Sequence, residues 1–173
     1  MIEWRLRRAS PEDAPAVALV AGASFLEAFA GVLAGADIIA HLARNSSIGC
    51  FAAWAHDPLS VVTLAEHSDG AAPVGYTVLT APDLPIAAAP GDIELRRIYT
   101  LQLAHGTGLG PALMARAVAD AGAAGHRRLL LGVYAGNARA RAFYERQGFA
   151  VAGTRQYRVG ETLHDDLIYA RPL

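Results

Sequence analysis

The sequence predicts an α+β domain around one mixed, mostly antiparallel sheet flanked by helices, in the order β-α-α-β-β-β-α-β-α-β-β over residues 1–173. Two observations predict it. Runs rich in Val, Leu, Ile and Thr, bounded by Gly, Pro, Ser or Asp, recur at both ends of the chain and read as hairpins. Between them the pattern changes to strand–helix–strand–helix, and this combination implies a mixed sheet.

Each element has a local cause. Residues 3–8 alternate bulk with charge, Trp4 and Leu6 against Arg5 and Arg7, and read as a strand. Ser10-Pro11-Glu12-Asp13 supplies a capping hydroxyl, a proline at the first helical position and acids in the first turn. That helix runs to about Phe29, and a second is expected from Ala36 to Arg44. Residues 47–58 fit a short helical piece or a loop. Ser60 to Glu66 and Pro73 to Leu79 read as strands around the turn Ser68-Asp69-Gly70. Prolines and a glycine make 81–91 a loop. Ile93 to Leu101 is a strand, and a Gly-rich turn at 106–110 opens a helix from Pro111 to Ala123. Arg128 to Val133 is a strand of the continuously apolar, buried kind. Asn137 to Gln147 is a helix stopped by Gly148. Phe149–Arg155 and His164–Ala170 close the chain as strands about a Val159-Gly160 turn.

Composition excludes several classes. The chain has 173 residues, enough to bury a core, with 53% hydrophobic and 18% charged residues. No run approaches the roughly 18 apolar residues of a membrane span, and the first eight residues lack a signal-peptide core, so a cytoplasmic protein without a membrane partner is expected. The single cysteine, Cys50, excludes an internal disulfide and a multi-cysteine metal site; it reads as a small buried residue. A net charge of −1 speaks against a nucleic-acid partner. All 15 basic residues are arginine, which removes lysine Schiff-base chemistry and, with the abundance of alanine, suggests a GC-rich bacterial genome. The charge is lopsided: 4 Arg against 9 acids in residues 1–91, but 10 Arg against 4 acids in 92–160. Two ligands of opposite sign would explain this, as would ordinary surface scatter.

The segment that carries chemistry is Ile98 to Leu113, a strand running into glycines at 106, 108 and 110 and then a helix. Glycines let the backbone turn tightly, and the helix N-terminus aims unpaired amides and a positive dipole end at the same point. Together they make an anion site suited to a pyrophosphate. The dinucleotide fingerprint G-x-G-x-x-G is not matched, and the P-loop is excluded by the lack of lysine. The residues from Glu94 to Leu113 resemble the acetyl-CoA-binding segment of the GNAT superfamily of N-acetyltransferases. Downstream, Asn137-Ala138-Arg139-Ala140-Arg141-Ala142-Phe143-Tyr144-Glu145-Arg146-Gln147-Gly148-Phe149 resembles that family's second signature, N-x-x-A-x-x-F-Y-E-x-x-G-F.

The resemblance implies roles. The backbone of Ile98, Tyr99 and Thr100 would pair with the pantetheine arm, and the amides of Gly106, Thr107, Gly108, Leu109 and Gly110 would hold the pyrophosphate. Two positions depart from the family pattern: His105 opens the loop where Gln or Arg is usual, and Pro111 removes one amide from the cradle. Asn137 is expected to cap its helix and to face the cofactor with Tyr144, two turns on. Tyr144 is the candidate acid for the leaving thiolate, against the alternative of a core aromatic. Glu94 is the candidate base, since strand alternation puts it on the face of Thr100; the alternative is a surface carboxylate paired with Arg96. His41 and His164 could line the acceptor site or be structural, and Arg139 and Arg141 could approach a phosphate or be solvated. Arg116 and Asp120 read as an exposed i, i+4 pair.

The implied activity is direct transfer of acetyl from acetyl-CoA to a primary amine, without a metal or an acyl-cysteine. The acids of the N-terminal half (Glu27, Asp37, Asp57, Asp83) favour a cationic small-molecule acceptor. Ser24-Phe25-Leu26-Glu27-Ala28-Phe29 resembles the first-helix end of bacterial polyamine acetyltransferases. A protein N-terminus or lysine side chain is the alternative acceptor, and a non-catalytic CoA-binding module the alternative of another class. A homodimer is compatible with these features.

Overall fold

A computed structural model describes residues 2–173 as a seven-stranded sheet in the order β1-β2-β3-β4-β5-β7-β6. The strands are β1 (Trp4–Arg8), β2 (Val61–His67), β3 (Pro73–Thr80), β4 (Asp92–Thr100), β5 (Arg128–Tyr134), β6 (Ala150–Val159) and β7 (Thr162–Pro172). All neighbours are antiparallel except β4 and β5. Helices α1 (Ala14–Phe29), α2 (Gly35–Asn45) and α3 (Ile48–His56) precede β2. Helices α4 (Leu109–Ala123) and α5 (Ala138–Arg146) flank β5 in sequence.

The expected order holds with one addition: the ambiguous stretch after α2 folds as α3. Ser47 is the cause, its hydroxyl accepting from the Cys50 amide at 3.2 Å. Phe51 then inserts into the core with no exposure, edge-on to Tyr76. Before α1, Pro11–Asp13 form a short 3₁₀ turn, and the Ser10 amide donates to Asp13 Oδ2 at 2.8 Å. Cys50 is half-buried rather than buried, held against Ser47 Oγ at 3.2 Å. The final hairpin is longer than its apolar residues suggested, because backbone pairing continues from Ala150↔Ala170 to Val159↔Thr162 through mostly polar sequence.

Two apolar layers sandwich the sheet. On one face Val17, Val20, Ala21 and Phe51 from α1 and α3 pack on Leu64, Tyr76 and Val78. On the other, Met114, Ala117 and Ala121 of α4 pack on Leu79, Leu95, Leu129 and Leu131, with Tyr144 and Phe149 closing the cluster. Gly75 lets the start of α4 approach β3: a Cβ there would lie 3.0 Å from the Tyr99 carbonyl and 3.3 Å from Leu109 Cδ2. The near end of α4 is thereby seated against the sheet, which fixes where its N-terminus points.

Strand β4 is irregular in two ways. It pairs with β3 along its length but with β5 only at Asp92↔Arg128, Ile93↔Leu129 and Glu94↔Leu130. Beyond Glu94 the two strands splay, and the edge of β4 from residue 95 to 100 has no strand partner on that side among the described residues. The second irregularity is a bulge: Leu79 pairs with Leu95 and Val78 with Arg97, so Arg96 is the extra residue.

Candidate active site

The splay opens a cavity of about 1210 Å³. It brings together Ile98, Tyr99 and Thr100 of β4, His105, Gly106, Gly108 and Gly110 of the glycine turn, Asn137 and Tyr144 of α5, and Glu94. Thr107 and Leu109 are turned away. The Thr107 hydroxyl donates to the Ala104 carbonyl at 2.7 Å and accepts from Trp4 Nε1 at 3.2 Å, while Leu109 is core with no exposure.

The glycine turn leaves backbone amides unpaired at the end of a helix. Gly106 and Gly108 have φ of +79° and +84°, the left-handed conformation that glycine adopts at no steric cost. Gly108 is the N-cap of α4, so the amides of Leu109 and Gly110 have no intrahelical partner. The Thr107 amide is engaged by the Ala104 carbonyl at 3.3 Å, and Pro111 has none to offer. Among the described residues the amides left free by the turn are therefore those of Gly106, Gly108, Leu109 and Gly110 rather than of every residue in it. Burial and nearby Arg139 lower the His105 pKa, so its ring enters this surface neutral near pH 7.

Across the splay, Asn137 caps α5, its Oδ1 accepting from the Ala140 amide at 3.0 Å. Tyr144 is 8% exposed and packs on Phe149 and Tyr169. Its hydroxyl has no hydrogen-bond partner among the described residues, and burial, with Tyr99 nearby, raises its pKa. It is thus both a core aromatic and a protonated donor at the cavity. Arg139 lines the cavity, whereas Arg141 is tied to Tyr169 Oη at 3.4 Å and the Ala135 carbonyl at 3.3 Å.

The opposite wall differs from expectation. The bulge at Arg96 inverts the alternation of β4, so Glu94 does not share a face with Thr100. Cross-strand pairing puts Glu94, Arg97 and Tyr99 with Thr80, Val78 and Tyr76 on the face of α1 and α3. Glu94 is 5% exposed, not a surface carboxylate, although it does face Arg96 at 3.6 Å. Its Oε2 accepts from the Asp83 amide at 2.8 Å. His41 is buried, stacked on Phe25 at 4.7 Å and accepts from Asn45 Nδ2 at 3.2 Å. Burial, with Arg97 and Arg44 nearby, lowers its pKa to about 4. His164 lines the cavity edge-on to Tyr134. The sequence alone did not single out Arg97, Trp54 and Tyr157 here, because the bulge that turns Arg97 to this face is defined only by the pairing of β4 with β3.

Of the four acids expected around an acceptor, Glu27 and Asp83 line the cavity. Asp57 is used locally, accepting from the Leu59 amide at 3.0 Å and Ser60 Oγ at 2.7 Å. Asp37 packs against Gly160 of the β6–β7 turn. The Arg116–Asp120 pair forms as expected, at 2.9 Å. No group of three or more metal-ligating side chains occurs, and no helix is long and apolar enough to cross a membrane, among the described residues.

Comparison with known proteins agrees with this geometry. The model of the acetyltransferase (GNAT) family matches residues 35–149. Uncharacterized N-acetyltransferases of Mycobacterium bovis and Mycobacterium tuberculosis are 36% identical over 161 residues, covering 93% of this chain and 98% of theirs. Among solved structures, the PaiA N-acetyltransferase of Thermoplasma acidophilum, in complex with coenzyme A, superposes with a TM-score of 0.81 at 19% identity, covering 99% of this chain and all of that one. The ribosomal-protein-S18-alanine N-acetyltransferase of Escherichia coli gives 0.71 at 19% identity, covering 98% and 94%. A glycine-cradled helix end, a splayed strand pair and these matches together make the chain a member of the GNAT family, an acetyl-CoA-dependent N-acetyltransferase.

Proposed function

We propose that the enzyme transfers acetyl to a primary amine by direct attack, with Tyr144 as acid and Glu94 as base. The observation that carries this is the splay itself. The unpaired edge of β4 from 95 to 100 offers backbone groups to an extended ligand, as in strand addition. It leads to the amides of Gly106, Gly108, Leu109 and Gly110, which suit a pyrophosphate. Acetyl-CoA supplies the activated acetyl group: a C–N bond to the acceptor forms as the C–S bond breaks.

The chain's residues manage the protons. Glu94 Oε1 has no protein donor among the described residues and takes a proton from the acceptor ammonium, directly or through water. Tyr144, kept protonated by burial, gives one to the departing sulfur. Ile98, Tyr99 and Thr100 hold the pantetheine arm, and Asn137 and His105 complete the slot. Of the four N-terminal acids that favoured a cationic acceptor of polyamine type, Glu27 and Asp83 line the cavity, beside Glu94. The first already accepts from the Gln102 amide at 2.8 Å, and the second faces Arg96 at 3.6 Å.

The test is thiol release from acetyl-CoA with polyamines, aminoglycosides, amino acids and short peptides, for the wild type and Glu94→Gln. Turnover on one acceptor class, lowered about 100-fold in the variant, is expected. Undiminished turnover in Glu94→Gln would remove Glu94 as base and leave the direct transfer standing. Tight CoA binding with no thiol released from any amine would sink the proposal.

A further inference from the structure

We propose that the acceptor is a zwitterion, an amine that carries an oxyanion such as a carboxylate, with its ammonium group at Glu94 and the oxyanion on Arg97. This rests on the amine-transfer reading above and names the substrate class of the same site.

The wall of the cavity formed by β4 and the helices α1–α3 carries both signs of charge in separate places. At one end Glu94 and Asp83 share a single cation, Arg96, at 3.6 Å each, which leaves one negative charge over. At the other end Arg97 makes no ion pair among the described residues. Its Nη1 donates to Ser46 Oγ and its Nη2 to the Asn45 carbonyl, both at 3.2 Å, which fixes the guanidinium at the end of α2. A guanidinium has five donors; two go to these partners and the Tyr76 hydroxyl lies within reach of a third, which leaves donors over for a ligand. Arg44 lies on the same rim and also makes no ion pair among the described residues. Arg155, which also lines the cavity, differs: Asp166 Oδ2 neutralises it at 3.2 Å. Arg97 is thus a fixed cation on a cavity wall without an anion.

The bulge at Arg96 makes the two ends usable by one molecule. In a regular strand Glu94 and Arg97 would point to opposite faces. With one residue taken up by the bulge they share a face, about two strand positions or roughly 7 Å apart. The space around them is aromatic: the Trp54 ring lies 5.9 Å from the Arg97 Cζ, and Phe25, Tyr99 and Tyr157 line the same cavity. An ammonium–oxyanion pair on an apolar body matches that surface. Low local polarity strengthens a bidentate guanidinium–oxyanion contact.

The wild-type enzyme tests this without any variant. Each of the standard amino acids is offered beside its carboxamide and its decarboxylated amine, with aminoalkyl phosphonates as a second oxyanion, and kcat/KM is read from thiol release. At least one zwitterion should exceed its partners that lack the oxyanion by about 30-fold or more. Arg97→Gln should lower the zwitterion's kcat/KM by about 100-fold and its carboxamide's by less than about 3-fold, with KM for acetyl-CoA unchanged. Arg97→Lys, which keeps the charge without the fork, should restore part of the loss. Preference for the carboxamide or the decarboxylated amine would overturn the zwitterion while leaving amine transfer intact. Equal loss on all acceptors in Arg97→Gln would overturn the role of Arg97, and absence of thiol release across the whole set would overturn both readings.

Discussion

The two walls of the cavity present charge by different means. On the side of α4 and α5, the positive potential comes from backbone: four amides, two positive-φ glycines and a helix end. On the side of α1–α3, charge is placed by side chains, with Arg96 shared by two acids and Arg97 pinned to the end of α2. A backbone site needs specific glycines at specific positions, so it leaves a motif. A side-chain site can be assembled from any elements that meet in space, so it leaves none. The same contrast separates Arg97 from Arg7, which also projects from the sheet. Arg7 contacts Asp13 and Glu66 at 2.7 Å each and is held fully charged by them. A saturated arginine of that kind ties β1 to its neighbours, whereas an unsaturated one on a cavity wall is available to a ligand.

The contrast between the walls breaks most sharply at Tyr144, on the α5 side. Tyr144→Phe keeps the ring that packs on Phe149 and Tyr169 and removes only the proton donor. It should lower kcat about 100-fold or more in a thiol-release assay while the thermal midpoint stays within a degree or two. A fall in the midpoint in step with activity would make Tyr144 a core residue alone.

His41 sharpens the contrast from the other wall. Its pKa is lowered to about 4 from an ordinary 6.5, so the unfolded chain binds its proton first as the pH falls. Its contribution is therefore whole above about pH 6.5 and is lost on the way down to pH 4. Between pH 7 and 5 the linkage amounts to about 2 kcal/mol. His41→Phe should flatten that part of the urea-midpoint profile, and an unchanged acid limb would place His41 in contact with water.

Gly108 carries a smaller expected effect. A Cβ there meets no atom within 4 Å, so Gly108→Ala tests backbone strain alone, at about 1 kcal/mol of stability. KM for acetyl-CoA should rise with it, since the αL turn that aims the Leu109 and Gly110 amides is disturbed. Arg116→Ala, on the outside of α4 and off both walls, should change stability by a few tenths of a kcal/mol and leave kinetics alone. These four variants rank the walls by what they do rather than by how they look.

Most elements were legible in the chain because their causes are local. Ser10-Pro11, the Gly106–Gly110 turn, Asn137 as a cap and Gly148 at φ +86° each act within one helical turn. The α4–α5 wall arises from those same signals, and the resemblance to a family rested on them. Helix α3 was ambiguous because its Ser47 cap is backed by only one deeply buried residue, Phe51. The face of Glu94 was misread because simple alternation assumes a regular strand, and a bulge is defined only by the register with its partner.

What the sequence determined by itself was the order of elements apart from α3, the glycine turn and the caps, all set by φ preferences and hydrogen bonds between near neighbours. Tertiary structure alone decided three things: where β4 leaves β5, which face Glu94 and Arg97 share, and which arginines find an acid. Each depends on pairing between segments distant in the chain: β4 with β3 and β5, and Arg97 of β4 with the end of α2. A charge's meaning is fixed by its nearest partner in space, and a linear pattern carries no record of that distance.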